Sequence, residues 1–306
     1  MSAREWALIT FTILTQMSVG FFVALGVVHF FVARKTNMEE ADRLSDRALI
    51  AAILVVFLGL LASLFHLGNP FTAYRAVTNI GTSWLSREIL LGVIFAITGA
   101  VFALMQWMKI ATFAIRNFIA WIAALVGIAF VYSMSHIYML PTEPAWDSWA
   151  TPVTFFVTSF LLGSLAMGIA FVANHAYIQR HEPNCADLQC SLMRDSLRWI
   201  SVVAIVLLGI ELAVLPLYLI SLASGPKAAI ATATLISSTY LWALFLRVLF
   251  VFIGAGVFAV FLYQNASSPG REKILSNLTY IAFVLVFAGE IIGRYLFYAT
   301  HVRIGI

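Results

Sequence analysis

The sequence predicts an all-α integral membrane protein, a bundle of eight transmembrane helices. Three observations carry that prediction. Charged residues make up only 10% of the 306 residues and hydrophobic ones 62%, whereas an ordinary soluble domain is about 25% charged. Apolar runs long enough to cross a bilayer, about 20 residues, occur eight times. None of these runs alternates apolar with polar positions, so helices rather than barrel strands must satisfy the backbone inside lipid. A soluble protein of this composition could not cover its surface. Disorder, collagen and a small disulfide scaffold are excluded by the same figures.

The spans follow in order. The first, 6–32, comes directly after Arg4 and Glu5. It is too long for a signal h-region and lacks a small-residue cleavage pattern, so it is expected to stay as a membrane helix. The second, 48–67, stops at Gly68, Asn69 and Pro70, which disfavour helix continuation. The third, fourth and fifth are 87–107, 118–140 and 152–178. The sixth, 198–222, holds Pro216, an expected kink. The seventh and eighth, 240–263 and 277–298, complete the bundle. Connections stay near 20 residues or below, so residues 1–306 are expected to form a single transmembrane domain. No internal repeat is seen, and HLGNP (66–70) does not recur. Cys185 and Cys190 are too few for a structural zinc site and are expected to be reduced thiols, with no metal bound.

Charge sets the orientation. Eleven Lys and Arg, among them Arg34, Lys35, Arg43, Arg47, Arg194 and Arg198, fall in the odd-numbered connections. Five (Arg4, Arg75, Arg87, Lys227 and Arg303) fall in the termini and even-numbered connections. The positive-inside rule then puts both termini outside. The net charge of +4 is a topological signal; nothing resembles a nucleic-acid module.

Ionisable residues within spans are costly and are functional candidates by default. With the orientation fixed, His66, Glu88, His136, Glu211, Arg247, Glu290 and Arg294 all fall in the outer half. One outward-opening cavity would explain that common depth. Plainer readings exist for most of them. Glu290 and Arg294 are i,i+4 neighbours able to neutralise each other, flanked by the small pair Gly289 and Gly293, which suits tight helix packing. Arg247 and Glu211 suit mutual counter-ions on facing helices, and His136 a hydrogen-bonded helix end. His29 and His175 are expected at the cytoplasmic interface.

The stretch HLGNPFTAYRAVTNIGTSWLSRE, His66 to Glu88, combines more requirements. It brings an imidazole and a carboxylate to one rim, with backbone freed by Gly68 and Pro70 and with Phe71, Tyr74 and Trp84 nearby. Quinol oxidation needs an acceptor for each hydroxyl proton, and His with Glu can supply them.

At these residues the sequence resembles the membrane anchor subunit of the bacterial dimethyl sulfoxide reductase family. The likeness spans EWALITFTILTQ (5–16), SLFHLGNPFTAYRAVTNIGTSWLSREI (63–89) and GEIIGRYLFYATHVRIGI (289–306). It implies an inner-membrane anchor with periplasmic termini that binds menaquinol as its substrate. Electrons then pass to an iron–sulfur subunit and a molybdopterin catalytic subunit on the periplasmic side, which hold the metal cofactors. The resemblance assigns the motif His, Gly and carboxylate to His66, Gly68 and Glu88. The family pattern often has a basic residue two positions after the Pro; here Thr72 stands there, and Arg75 is the nearest replacement. Tyr74, Arg247, Glu290 and Arg294 are candidates for the quinol pocket or its support.

Three rivals make different demands. A bis-His cytochrome needs two histidines at one depth, and His66 with His136 would be the pair; no haem is expected. A polysulfide or nitrite reductase type of anchor with a proton path needs polar residues continuing into the cytoplasmic half, which lacks buried carboxylates. A secondary transporter commonly shows repeated halves and helices broken at the midplane; neither is evident. The iron–sulfur partner is expected to dock on loops 68–86 and 141–151, the latter through Trp146 and Trp149, with Glu143 and Asp147 uncompensated by any Lys or Arg in the loop.

Overall fold

A computed structural model of the chain describes residues 3–36, 40, 42, 44, 78–181, 186–268 and 270–305. Among them every regular element is helical. In order these are α1 (Ala3–Lys35), α2 (Trp84–Trp107), α3 (Phe113–Tyr138), α4 (Ala150–His181) and α5 (Ala186–Ala223). A short α6 (Lys227–Ser237) follows, then α7 (Leu241–Ala266) and α8 (Glu272–Ala299). All but α6 are long and apolar enough to cross a membrane, which makes seven crossings among the described residues. The expected span 48–67 lies outside the described residues.

Neighbouring α1 and α2 run in the same direction. Phe22 at mid-α1 packs edge-on against Phe95 and Phe102 of α2, and Asp42, beyond α1, meets Gln106 in the last turn of α2.

Two boundaries differ from the sequence reading. The expected loop 179–197 is helical from Ala186 onward, so α5 runs well beyond its apolar core. Hydropathy ends where the membrane does, but the helix is held further by ion pairs, Lys35–Asp195 at 2.7 Å and Arg194–Glu272 at 2.9 Å. The expected loop 223–239 contains α6, which starts behind Pro226 and buries Ala229, Thr232 and Ile236. At 11 residues it is too short to span.

Since lipid is as apolar as Leu, helices in a membrane associate through close packing and small residues rather than water exclusion. The sequence supplies both at the crossing of α1 and α4. A Cβ on Gly20 would lie 1.8 Å from the Ser159 carbonyl oxygen, and one on Gly163 would lie 2.3 Å from the Phe21 nitrogen. The two backbones therefore touch, and α1 and α4 are the most deeply buried helices. Midway along α7, residues Phe252–Phe258 form a π-helical turn. It widens the helix without breaking it where Gly254 meets Val286 of α8.

The start of α1 and the end of α8 share one end of the bundle, the termini end. The sequence places His29 and His175 at the interface of the opposite end. Both are instead buried, His29 against the Phe113 ring at 5.3 Å between centroids. Helical extensions past the apolar core cover these positions.

Candidate functional site

At the termini end, α2 starts at Ser83, whose hydroxyl accepts the Ser86 N–H at 3.3 Å as an N-cap. Arg87 fixes the incoming backbone by donating to the carbonyls of Ile80 at 2.9 Å and Gly81 at 2.7 Å. This start turns Glu88 inward, and the residue is buried. At the same end, on α3 and α8, the Tyr138 and Tyr298 hydroxyls meet at 2.6 Å. On the flank, Trp84 and Tyr132 enclose the His136 ring at 4.6 and 4.0 Å, while His136 Nδ1 lies 2.9 Å from the Tyr132 carbonyl. His66, Gly68, Tyr74 and Arg75 lie outside the described residues.

A second polar group sits alongside. Gly289 and Gly293 let α7 approach α8, and a Cβ on Gly293 would lie 2.6 Å from Arg247 Nε, so that glycine seats the guanidinium. Arg247 donates to Glu211 of α5 at 2.7 Å, the counter-ion pairing expected from the sequence. The expected Glu290–Arg294 pair does not form. Glu290 accepts from Thr158 of α4 at 2.7 Å, and Arg294 donates to Gln16 of α1 at 2.8 Å while lying 3.8 Å over the Phe155 ring. Both side chains find partners on other helices, α4 and α1, and those outcompete the i,i+4 neighbour.

Glu211, Arg247, Glu290 and Arg294 line a cavity of about 90 Å³ together with Thr154, Thr158 and Tyr218. By volume it holds several waters, each needing ~10–15 Å³ of such space. Its rim is apolar, formed by Val214, Leu215, Leu219, Ile236 and Leu244. Arg294 links the two groups, being within electrostatic reach of Tyr138, Tyr298 and Glu290. Among the described residues no three His, Cys, Asp or Glu gather as a metal site would require.

Loop 141–151 departs from expectation. Trp146 is buried, stacked on His301 at 4.3 Å, and its indole donates to the Phe297 carbonyl at 2.8 Å. Glu143 is compensated after all, by Arg303 of the C-terminal tail, and the Ile304 N–H donates to the Thr142 carbonyl at 2.9 Å. Only Trp149 of the two tryptophans faces outward. Sequence reasoning also missed Gln16, Tyr138, Thr158, Tyr218 and Tyr298. Tyr near span ends reads as an aromatic belt, and the one available signal was the polar run Thr12, Thr15, Gln16 inside an apolar span.

The family model for the DMSO reductase anchor subunit (DmsC) matches residues 1–300. The C component of anaerobic dimethyl sulfoxide reductase from Escherichia coli (strain K12) is 28% identical over 99% of this sequence and 96% of its own. The YnfH component of an anaerobic dimethyl sulfoxide reductase from the same organism is 29% identical with the same coverage. The C component of sulfite dehydrogenase from Allochromatium vinosum is 28% identical over 56% of this sequence and 55% of its own. The protein therefore belongs to the DMSO reductase anchor subunit family, as a multi-pass protein of the bacterial inner membrane that anchors an oxidoreductase complex.

Proposed function

We propose that the protein oxidises menaquinol at its termini end and passes the electrons to an iron–sulfur subunit, which feeds a molybdopterin catalytic subunit. The buried Glu88 carboxyl at the start of α2, at the same end as the Tyr138–Tyr298 pair, carries this reading. Oxidation of one quinol yields a quinone, two electrons and two protons. Glu88 is placed to take one proton, and His66 is the second acceptor. The apolar environment of α2 and α3 suits the ring of an amphipathic carrier, with Trp84, Tyr132 and His136 forming an aromatic cluster on its flank.

In this reading the termini end is periplasmic, as the charge asymmetry indicates, and the bundle has eight crossings. Both protons leave on the side where the partner subunits consume them, so turnover moves no net charge across the membrane. Docking falls to Trp149 and the outward part of 141–151 rather than to Trp146. A relative named for sulfite dehydrogenase fits an anchor that handles quinone while its partner sets the terminal substrate.

The test is quinol-dependent turnover of the assembled complex. Glu88→Gln and His66→Ala should each lower it at least ~100-fold, the usual scale of a lost general base. Turnover with an artificial donor that feeds the soluble subunits directly should persist. Full quinol activity in both variants would refute the site.

A further inference from the structure

The cavity beside the Glu88 region carries chemistry that the quinol reading does not use. Glu211 and Glu290 come from different helices, α5 and α8, and both line the same cavity. Each residue is more than nine-tenths buried. One oxygen of each is already engaged: Glu211 Oε1 accepts from Arg247, and Glu290 Oε2 accepts from Thr158. The remaining two, Glu211 Oε2 and Glu290 Oε1, are buried and have no partner.

Among the described residues, the other charged or titratable groups lining the cavity are accounted for. On α7 Arg247 Nη2 is bound to Glu211, and its Nε has no partner. On α8 Arg294 is directed to Gln16 and lies over Phe155. On α5 the Tyr218 hydroxyl donates to the Ala145 carbonyl at 2.8 Å. From α4 come Thr154 and Thr158, and from α6 only Ile236, so neither brings a charge. Two carboxylates sharing one buried cavity do not both ionise readily, and among the described residues no donor reaches the two bare oxygens.

We propose that Glu211 and Glu290 form a proton-holding centre, in which one proton is shared between Glu211 Oε2 and Glu290 Oε1. The O–H of one carboxyl donates to the carboxylate oxygen of the other, a short charge-assisted bond that satisfies both bare atoms at once. Arg247 is the counter-ion of the resulting single negative charge. The proton comes from water in the cavity and returns to it, so no oxidant or reductant enters. This centre stands independently of whether Glu88 handles quinol.

Infrared spectroscopy of the intact complex in membranes tests it. A protonated carboxylic acid gives a carbonyl stretch that shifts on exchange into D2O. That signal should disappear or move in Glu211→Gln and equally in Glu290→Gln, because it belongs to the pair. Thr158→Val, which removes only the donor to Glu290, should displace the signal without abolishing it. A signal that responds to only one of the two carboxylates overturns the sharing, and one indifferent to all three substitutions overturns the centre. Should the Gln variants fail to assemble, Thr158→Val decides alone, and an unmoved signal refutes the proposal.

Discussion

Two charged networks, one at each end of the bundle, treat their buried groups differently. At the opposite end Asp42 accepts from Gln106, from Lys109 at 2.9 Å and from Arg116 at 2.7 Å. Arg116 also donates to Gln106 at 2.8 Å and to the Ala111 carbonyl at 2.7 Å. At the termini end, Glu211, Arg247 and Glu290 each retain a buried polar atom without a partner, and a cavity lies between them. A saturated network has no capacity left for a ligand or a proton, whereas an unsaturated one carries a standing cost that packing alone does not explain. The first holds the fold; the second is suited to chemistry.

The saturated network also has a task. The connection between α2 and α3 places Lys109 at φ 51° and Ala111 at φ 64°, a left-handed conformation that disfavours side chains. Arg116 clamps that turn through the Ala111 carbonyl. Arg116→Ala should therefore cost about 3 kcal/mol of stability, the scale for stranding one partner of a buried pair. Quinol turnover per assembled complex should stay within about twofold of wild type, since the proposed site is at the other end. Thermal unfolding in detergent, with activity measured on the surviving complex, checks both. A collapse of turnover at unchanged stability would reverse the roles assigned to the two ends.

Acid sharpens the same contrast. Burial opposes ionisation of Asp42, but hydrogen bonds from Lys109, Gln106 and Arg116 outweigh it and hold the carboxyl below its ordinary 3.8. A carboxyl depressed in the folded state contributes stability above its unfolded pKa and loses it as pH falls through the folded value. The network is thus complete at neutral pH and weakens only below about 4. Asp42→Asn should lose about 1–2 kcal/mol at neutral pH, as expected for charged hydrogen bonds, and should remove this part of the acid-induced destabilisation. An Asp42→Asn protein that still loses as much stability below pH ~4 would locate the acid-sensitive group elsewhere.

Much of this was legible in the sequence, and the gaps have physical causes. Apolar length alone places the seven described crossings, because a bilayer imposes its thickness on a helix. The charged start of α5 was not legible, because helix and hydropathy part company once the backbone leaves lipid. Nor was α6, since its 11 residues are too few to span and Lys227, Thr232, Thr234 and Ser237 interrupt the apolar run. At the site, common depth correctly gathered Glu211, Arg247, Glu290 and Arg294 at one end. Partner choice did not follow from depth: i,i+4 spacing suggested Glu290 with Arg294, but Thr158 and Gln16 belong to helices whose rotation only tertiary packing fixes. Trp146 shows the same limit, because nothing local says whether an aromatic in a short loop faces solvent or the protein's own tail.

The smallest expected effect lies on the boundary between the proposed quinol site and the cavity. Tyr138 and Tyr298 share one hydrogen bond at 2.6 Å, sense Glu88 on one side and Arg294 on the other, and are both buried. Tyr138→Phe keeps the ring, and with it the contacts to Trp146, Phe155 and Phe297. What it removes is one hydroxyl, leaving that of Tyr298 to find another partner. The stability cost should be about 1 kcal/mol, the usual net value of such a bond. If the tyrosine pair only packs, turnover should be unchanged. If it shapes the environment of Glu88, quinol turnover should fall several-fold and its pH profile should move, while turnover with the artificial donor stays constant. The second outcome is expected, because the pair is the only direct polar link among the described residues between the α3 and α8 walls of the site. An unchanged pH profile in Tyr138→Phe would separate Glu88 from the cavity cluster and leave the termini end with two unconnected polar sites.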